Sequence, residues 1–292
     1  MSVFALVDPI LQGLLLGGLY ALFAIGLSLS FGIMRMVNIA HGDIIILGAY
    51  ATLVVVNQLG IHPLAAMVVV VPVLAGFGYL LQRILLNPVL GEDILPPLLV
   101  TFGLSVIIQN LLMAVFSADS KGVHADAIQT ASIGLGGGLA VGWLSLVIFV
   151  VAVAVVAGLE LLFARTGLGR AFRATSDDQA VAQLMGINNR HLYAVATALA
   201  FGVTAIAGVF LAVRTSFNPT LGPSKLLVAF EVVIIGGMGS LWGTLAGAML
   251  LGVAQVIGFR YDSGSGVLAG HLVFLAVLLL RPQGLIARTR DL

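Results

Sequence analysis

The sequence predicts an all-α polytopic bundle of about eight or nine transmembrane segments, and three observations lead there. Of 292 residues, 60% are hydrophobic and 9% charged, whereas a soluble domain runs about 45–50% apolar and about 25% charged. So little polar surface cannot cover a water-exposed domain, and the apolar remainder must face lipid or other buried helices. Charge-free runs extend over residues 9–34, 44–82, 94–118, 127–159, 191–213, 232–259 and 263–280, and about 20 such residues span a bilayer as a helix. None of the runs alternates apolar with polar residues as a lipid-facing barrel strand does, so helices must satisfy the backbone.

Spans are expected near 10–33, 42–60, 62–86, 97–116, 141–163, 191–213, 226–239, 241–258 and 264–281. No Lys or Arg precedes Arg35, so the first span lacks the basic n-region of a cleavable signal and stays as a transmembrane element. The junction after it, Met34 to Asp43, is polar for a link between apolar runs. Asn38, His41 and Asp43 are expected to close a helix break there by hydrogen bonding, with pathway lining as the second role. His62-Pro63 marks the turn between the next two spans. The seventh span is short and contains Glu231 and Gly236-Gly237, which marks a second discontinuous or re-entrant element. The stretches His41–Tyr50 and Gly236–Ala248 share a texture of Gly-rich helix, polar break and small-residue helix, as an internal structural repeat would leave. Gly243-x-x-x-Gly247 reads as a close helix crossing.

Three acids lie near membrane depth, where each costs a few kcal/mol unless paired or lining a pathway. Glu160 sits near Arg165 at a boundary. Glu231 is expected to tie the broken segment to Arg214 or Arg35, with a pocket for a substrate ammonium as the alternative. Asp43 belongs to the first break.

Basic residues concentrate on cytoplasmic loops. Arg165, Arg170, Arg173, Arg190, Arg281, Arg288 and Arg290, seven of 13 Lys and Arg, lie in the loop 164–190 and the C-terminal tail, which places both inside. The loop 117–140, with Asp119 and Asp126 against Lys121, is then outside, and nine crossings put the N-terminus outside. Within 164–190, Ser176 and Gln179 form a capping-box pattern, and Asp177 and Asp178 suit a first helical turn. A helix over 176–186 is expected, with Ala180, Val181, Leu184 and Met185 as its apolar face and Gly186 as its left-handed stop. So short a helix needs a dock: either the bilayer and its own bundle, or a soluble partner.

Several chemistries are excluded. A net charge of +1 offers no field for nucleic acid, and zero cysteines remove disulfides and thiolate sites. No Gly-x-x-x-x-Gly-Lys-Ser/Thr occurs, so ATP is hydrolysed elsewhere. The third glycine of Gly237-Met-Gly-Ser-Leu-Trp-Gly is one place late for a dinucleotide loop. The five histidines, 41, 62, 124, 191 and 271, include no i, i+4 pair, so neither a metal site nor a cofactor is expected. His191 reads as a polar cap at the membrane boundary. No Ser or Thr has His and acidic neighbours in a hydrolase context, so an enzyme is not expected.

The run Gly169 to Asn188, together with Asn38–Tyr50, Ile235–Ala248 and the terminal Arg281-Pro-Gln-Gly-Leu, resembles permease subunits of branched-chain amino acid ABC importers of the LivH type. The matches run in family order along nearly the whole chain. The resemblance implies a single permease domain over 1–292 in the bacterial inner membrane, in contact with membrane lipid. It also implies pairing with a second similar permease, two ATP-binding subunits and a periplasmic binding protein, with the helix from Ser176 to Gly186 as the coupling element. The resemblance implies a branched-chain or related amino acid as cargo and leaves urea, short amides or other amino acids as alternatives. The rival reading, a stand-alone secondary transporter, would need several intramembrane carboxylates.

Overall fold

A computed structural model describes residues 3–286 apart from 92, 94, 126, 137 and 138. Asp126, Arg288 and Arg290, which the charge argument used, lie outside the described residues. The helices are α1 (Val3–Met34), α2 (His41–Leu59), α3 (Met67–Leu81, extended by a π-helical turn Gln82–Leu86), α4 (Leu95–Phe116), α5 (Ala127–Thr130), α6 (Trp143–Arg165), α7 (Gly167–Asp177), α8 (Gln179–Leu184), α9 (Asn189–Arg214), α10 (Gly222–Gly236), α11 (Leu241–Tyr261) and α12 (Ser265–Leu280). Eight helices among the described residues are long and apolar enough to cross a membrane, and α12 is a shorter apolar helix of 16 residues. The chain is therefore a multi-pass α-helical membrane protein. The loop between α4 and α6 also carries a small antiparallel ribbon, β1 (Ser132–Gly136) and β2 (Leu139–Gly142).

Two helices form the axis of the bundle. Most of α9 is buried, as is most of α1, and both are rich in Ala and Gly because backbones must approach closely where lipid offers no hydrophobic gain for bulky packing. α1 packs along α11, where a Cβ on Gly17 would lie 2.7 Å from the Met249 Cα. α9 packs along α3 and α2, where a Cβ on Gly208 would lie 2.6 Å from the Ile45 carbonyl oxygen. The expected crossing at Gly247 is present: a Cβ there would lie 2.6 Å from the Val232 carbonyl on α10.

The two ends of the bundle differ in charge. One end gathers Ser176 on Gly32, Asn87 on the Arg190 carbonyl, and Ile286 on the Gly236 carbonyl. All of Arg35, Arg83, Arg165, Arg170, Arg173, Arg190 and Arg281 lie at that end. The other end gathers the backbone bridge Lys121–Phe217, Gln129 on the Val213 carbonyl, and the ion pair Arg260–Asp8. His191 sits at the arginine-rich end with its Nδ1 2.9 Å from the Tyr79 hydroxyl.

Helices α1–α3 and α9–α11 form an inverted pair. Each unit runs as a long buried helix, a non-helical dive back into the bundle, a shorter helix and a third span. The units pack crosswise, α1 on α11 and α10, α9 on α3 and α2. The repeat therefore pairs residues 35–40 with 215–221, not His41–Tyr50 with Gly236–Ala248 as their texture implied.

Candidate functional site

The first dive begins at Arg35, which ends α1 in a left-handed conformation with φ 51°. The chain then climbs beside α1, and α2 starts where the His41 Nε2 lies 2.6 Å from the Phe23 carbonyl oxygen. Phe23 precedes the end of α1 by 11 residues, so α2 begins about 16 Å inside that end. Asn38 is buried, and its Oδ1 accepts from the Ala40 N–H at 3.0 Å, while the Ile39 N–H donates to Thr101 Oγ1 of α4 at 3.2 Å. Asn38 and His41 thus close the break as expected. Asp43 reaches across instead: one carboxylate oxygen accepts from Gln109 Nε2 of α4 at 3.0 Å, and the other is buried without a hydrogen bond.

The second dive follows α9. Asn218 Oδ1 accepts from the Thr220 N–H at 3.1 Å, a 3₁₀ turn covers Pro219–Leu221, and α10 starts at Gly222. Both dives carry the pattern Asn-x-x-x-Gly, Asn38 to Gly42 and Asn218 to Gly222. The two glycines meet. A Cβ on Gly42 would lie 2.9 Å from the Leu226 Cβ, and one on Gly222 would lie 3.0 Å from the Asp43 backbone nitrogen. The N-termini of α2 and α10 therefore abut inside the bundle with the Asp43 carboxylate beside them, the charge that two positive helix ends favour. Sequence reasoning missed Asn218 and Gly222; the spacing shared with Asn38 and Gly42 was the available signal.

Glu231 is buried on α10, but its partner is neither Arg214 nor Arg35. Arg35 is exposed at the arginine-rich end and Arg214 donates to Ser145 Oγ at 3.2 Å at the opposite end. Glu231 instead pairs with His271 of α12, and its second oxygen is buried without a hydrogen bond. His271 was missed because it stands in a charge-free run. Gly236 and Gly237 do not break a span. They end α10 at the arginine-rich end, Gly237 with φ 101°, and the tail zips onto them through Leu285 N–H to the Ile235 carbonyl at 2.8 Å and Ile286 N–H to the Gly236 carbonyl at 3.1 Å.

The 164–190 segment folds as two helices rather than one. Ser176 is not a cap: it lies in the last turn of α7, next to Asp177, and its Oγ donates to the Gly32 carbonyl of α1 at 2.9 Å. Asp178 caps α8, accepting from the Ala180 and Val181 N–H groups at 2.9 and 3.0 Å. The segment is tied to α9 through Asn189, whose Nδ2 donates to the Gln179 carbonyl at 2.9 Å and whose Oδ1 accepts from Thr175 at 3.2 Å. Gly186 has φ 86°, the expected left-handed stop. Ala182 faces inward, while Ala180 is exposed and Val181, Leu184 and Met185 are 54%, 86% and 79% exposed. An apolar patch this open, on a segment this firmly tethered, is a surface that no other described residue covers.

The family described as "Branched-chain amino acid transport system / permease component" matches residues 9–280. The high-affinity branched-chain amino acid transport system permease protein BraD of Pseudomonas aeruginosa is 32% identical over 98% of this chain and 97% of its own length. LivH of Escherichia coli is 27% identical over 95% of this chain and 94% of its own. LivM of the same organism, a permease protein of the same kind of system, is 31% identical over 43% of this chain and 30% of its own. No solved structure matches the chain.

Proposed function

The chain belongs to the branched-chain amino acid transport permease family, whose members are transport proteins and not enzymes, and on that premise we propose that it is the pore-forming subunit of a binding-protein-dependent ABC importer. Its cargo is a branched-chain or related amino acid. It lies in the bacterial inner membrane with the arginine-rich end in the cytoplasm, the side that basic residues favour. It pairs with a second permease, is driven by two separate ATPase subunits, and receives cargo from a periplasmic binding protein.

The observation that carries this reading is the tethered segment with its uncovered patch. An ATPase groove is the cover it fits, as an amphipathic helix fits an apolar groove. The force path is short. Movement of α8 reaches α7 directly, α7 is bonded through Ser176 to Gly32 of α1, and Gly32 is three residues before the start of the dive at Arg35. A push there shifts the seat of α2 against α10. The stand-alone secondary transporter is the weaker reading because Asp43 and Glu231 each have a partner within the chain, Gln109 and His271, rather than forming a cluster of ion ligands.

Leu184→Asp tests the reading, since an unpaired carboxylate in an apolar groove costs several kcal/mol. Membrane level of the subunit should stay near normal while ATPase co-purification and ATP-driven uptake are lost. A Leu184→Asp subunit that still binds its ATPase and supports uptake overturns the coupling assignment.

A further inference from the structure

At the arginine-rich end, α1, α6, α7 and the start of α11 line a half-open cavity of about 310 Å³ that includes Gly32, where the force path meets α1. Its lining joins an apolar wall, including Leu29, Phe163 and Phe172, to one acid, Glu160, and one base, Arg173, with Trp242 also lining it. Among the described residues Arg173 donates once, to the Phe163 carbonyl at 2.6 Å, and a guanidinium has five N–H donors in a fork suited to a carboxylate. Among the described residues no hydrogen bond or ion pair engages Glu160. An acid and a base over an apolar wall, in a space at the small end of the range for small-molecule sites, complement a compact zwitterion with an aliphatic body.

We propose that this cavity binds a free aliphatic amino acid from the cytoplasmic side, its carboxylate on Arg173, its ammonium on Glu160 and its side chain on Leu29, Phe163 and Phe172. The identification of the ligand rests on the reading that the cargo is such an amino acid. One wall is α7, the helix that Ser176 fastens to α1. A ligand held between α7, α1 and α11 stabilises the arrangement in which it fits, so product accumulating inside slows further import. The site is a product brake that acts on the junction of α7 with α1.

The test uses the full-length chain in phosphatidylcholine nanodiscs. The chain has two tryptophans, Trp143 and Trp242, so Trp143→Phe leaves Trp242 as a reporter on the cavity wall. Leucine should change Trp242 emission saturably. Leucine methyl ester and 4-methylpentanoate, each lacking one charge, should bind about tenfold or more weakly, and Glu160→Gln or Arg173→Gln should weaken leucine by a similar factor, whereas Glu231→Gln should not. Emission indifferent to millimolar leucine overturns the proposal, as does a response that survives both cavity substitutions. A response that tracks added phosphatidylethanolamine and ignores leucine overturns it in favour of a lipid headgroup. In cells preloaded with leucine, initial uptake should be slowed and Glu160→Gln should remove the slowing. Absence of uptake by the unaltered transporter counts against the importer reading alone, because the Trp242 titration does not depend on transport.

Discussion

Asn38 and Asn218 each lie in a dive of the chain into the bundle, and each dive leads to a glycine in the first turn of a shorter helix. The first dive is closed by buried polar groups: Asn38, His41 and Asp43 are all buried and all bonded within the chain. The second is shaped by Pro219 and Pro223, which preset the backbone, and it leaves Thr220, Pro223 and Ser224 exposed. The same topology is thus sealed in one unit and open in the other. Exposed polar groups inside a span need water or a protein neighbour, so the open dive is expected to face the pathway or the second permease, with the sealed dive as its anchor.

The strongest challenge to that contrast is the point where the two dives meet. Gly42→Leu should cost about 3 kcal/mol or more, since the clash is with backbone of α10 that cannot withdraw, and detergent size-exclusion should show little folded subunit. Next comes the asymmetry itself. His41→Ala removes a buried bond and leaves a void, about 2–3 kcal/mol, whereas Asn218→Ala removes a partly exposed turn bond, about 1 kcal/mol. Equal losses in thermal melts of the two variants would erase the distinction between anchor and open element. A smaller effect is expected at Glu231, where Glu231→Gln can still bond His271 and should retain assembly and most transport. Glu231→Leu should lower the amount of folded subunit by about 1 kcal/mol of stability; normal amounts that fail only in transport would move Glu231 into the pathway. The gentlest probe is labelling. Ser224→Cys should react with impermeant thiol reagents and Ala40→Cys should not, and Gln179→Cys should be shielded in intact cells. Reaction at Ala40→Cys would show that the sealed dive is open.

The spans were legible because an unpaired charge is excluded from hydrocarbon, so gaps between charged residues mark helices directly. The first dive was legible for the same reason, since Asn38, His41 and Asp43 stand out in an apolar stretch. The second was not: Asn218-Pro219 reads as an ordinary surface turn, and nothing local reveals that the turn lies against Gly42. Partners across the bundle were equally hidden. His271 carries no formal charge in a sequence count, so the pairing with Glu231 could not compete with the arginines at 35 and 214. Ser176 failed as a cap because the Gly32 carbonyl of α1, 144 residues away, offers its hydroxyl a bond, and Asp178 then takes the cap. Gly186 and the apolar set at 180, 181, 184 and 185 were legible because they depend only on local backbone geometry and helical spacing.

The meeting of Gly42 and Gly222 makes the architecture a matter of parity. Five helices, α1, α2, α3, α4 and α6, cross between the start of the first unit and the start of α9. An odd number inverts whatever follows it during insertion. Adding or deleting one span in that interval would thread α9–α11 upright, and the N-termini of α2 and α10 would then point the same way instead of abutting. Adding or deleting a pair would preserve the encounter. Insertions between the units are therefore tolerable only in twos, whatever their sequence.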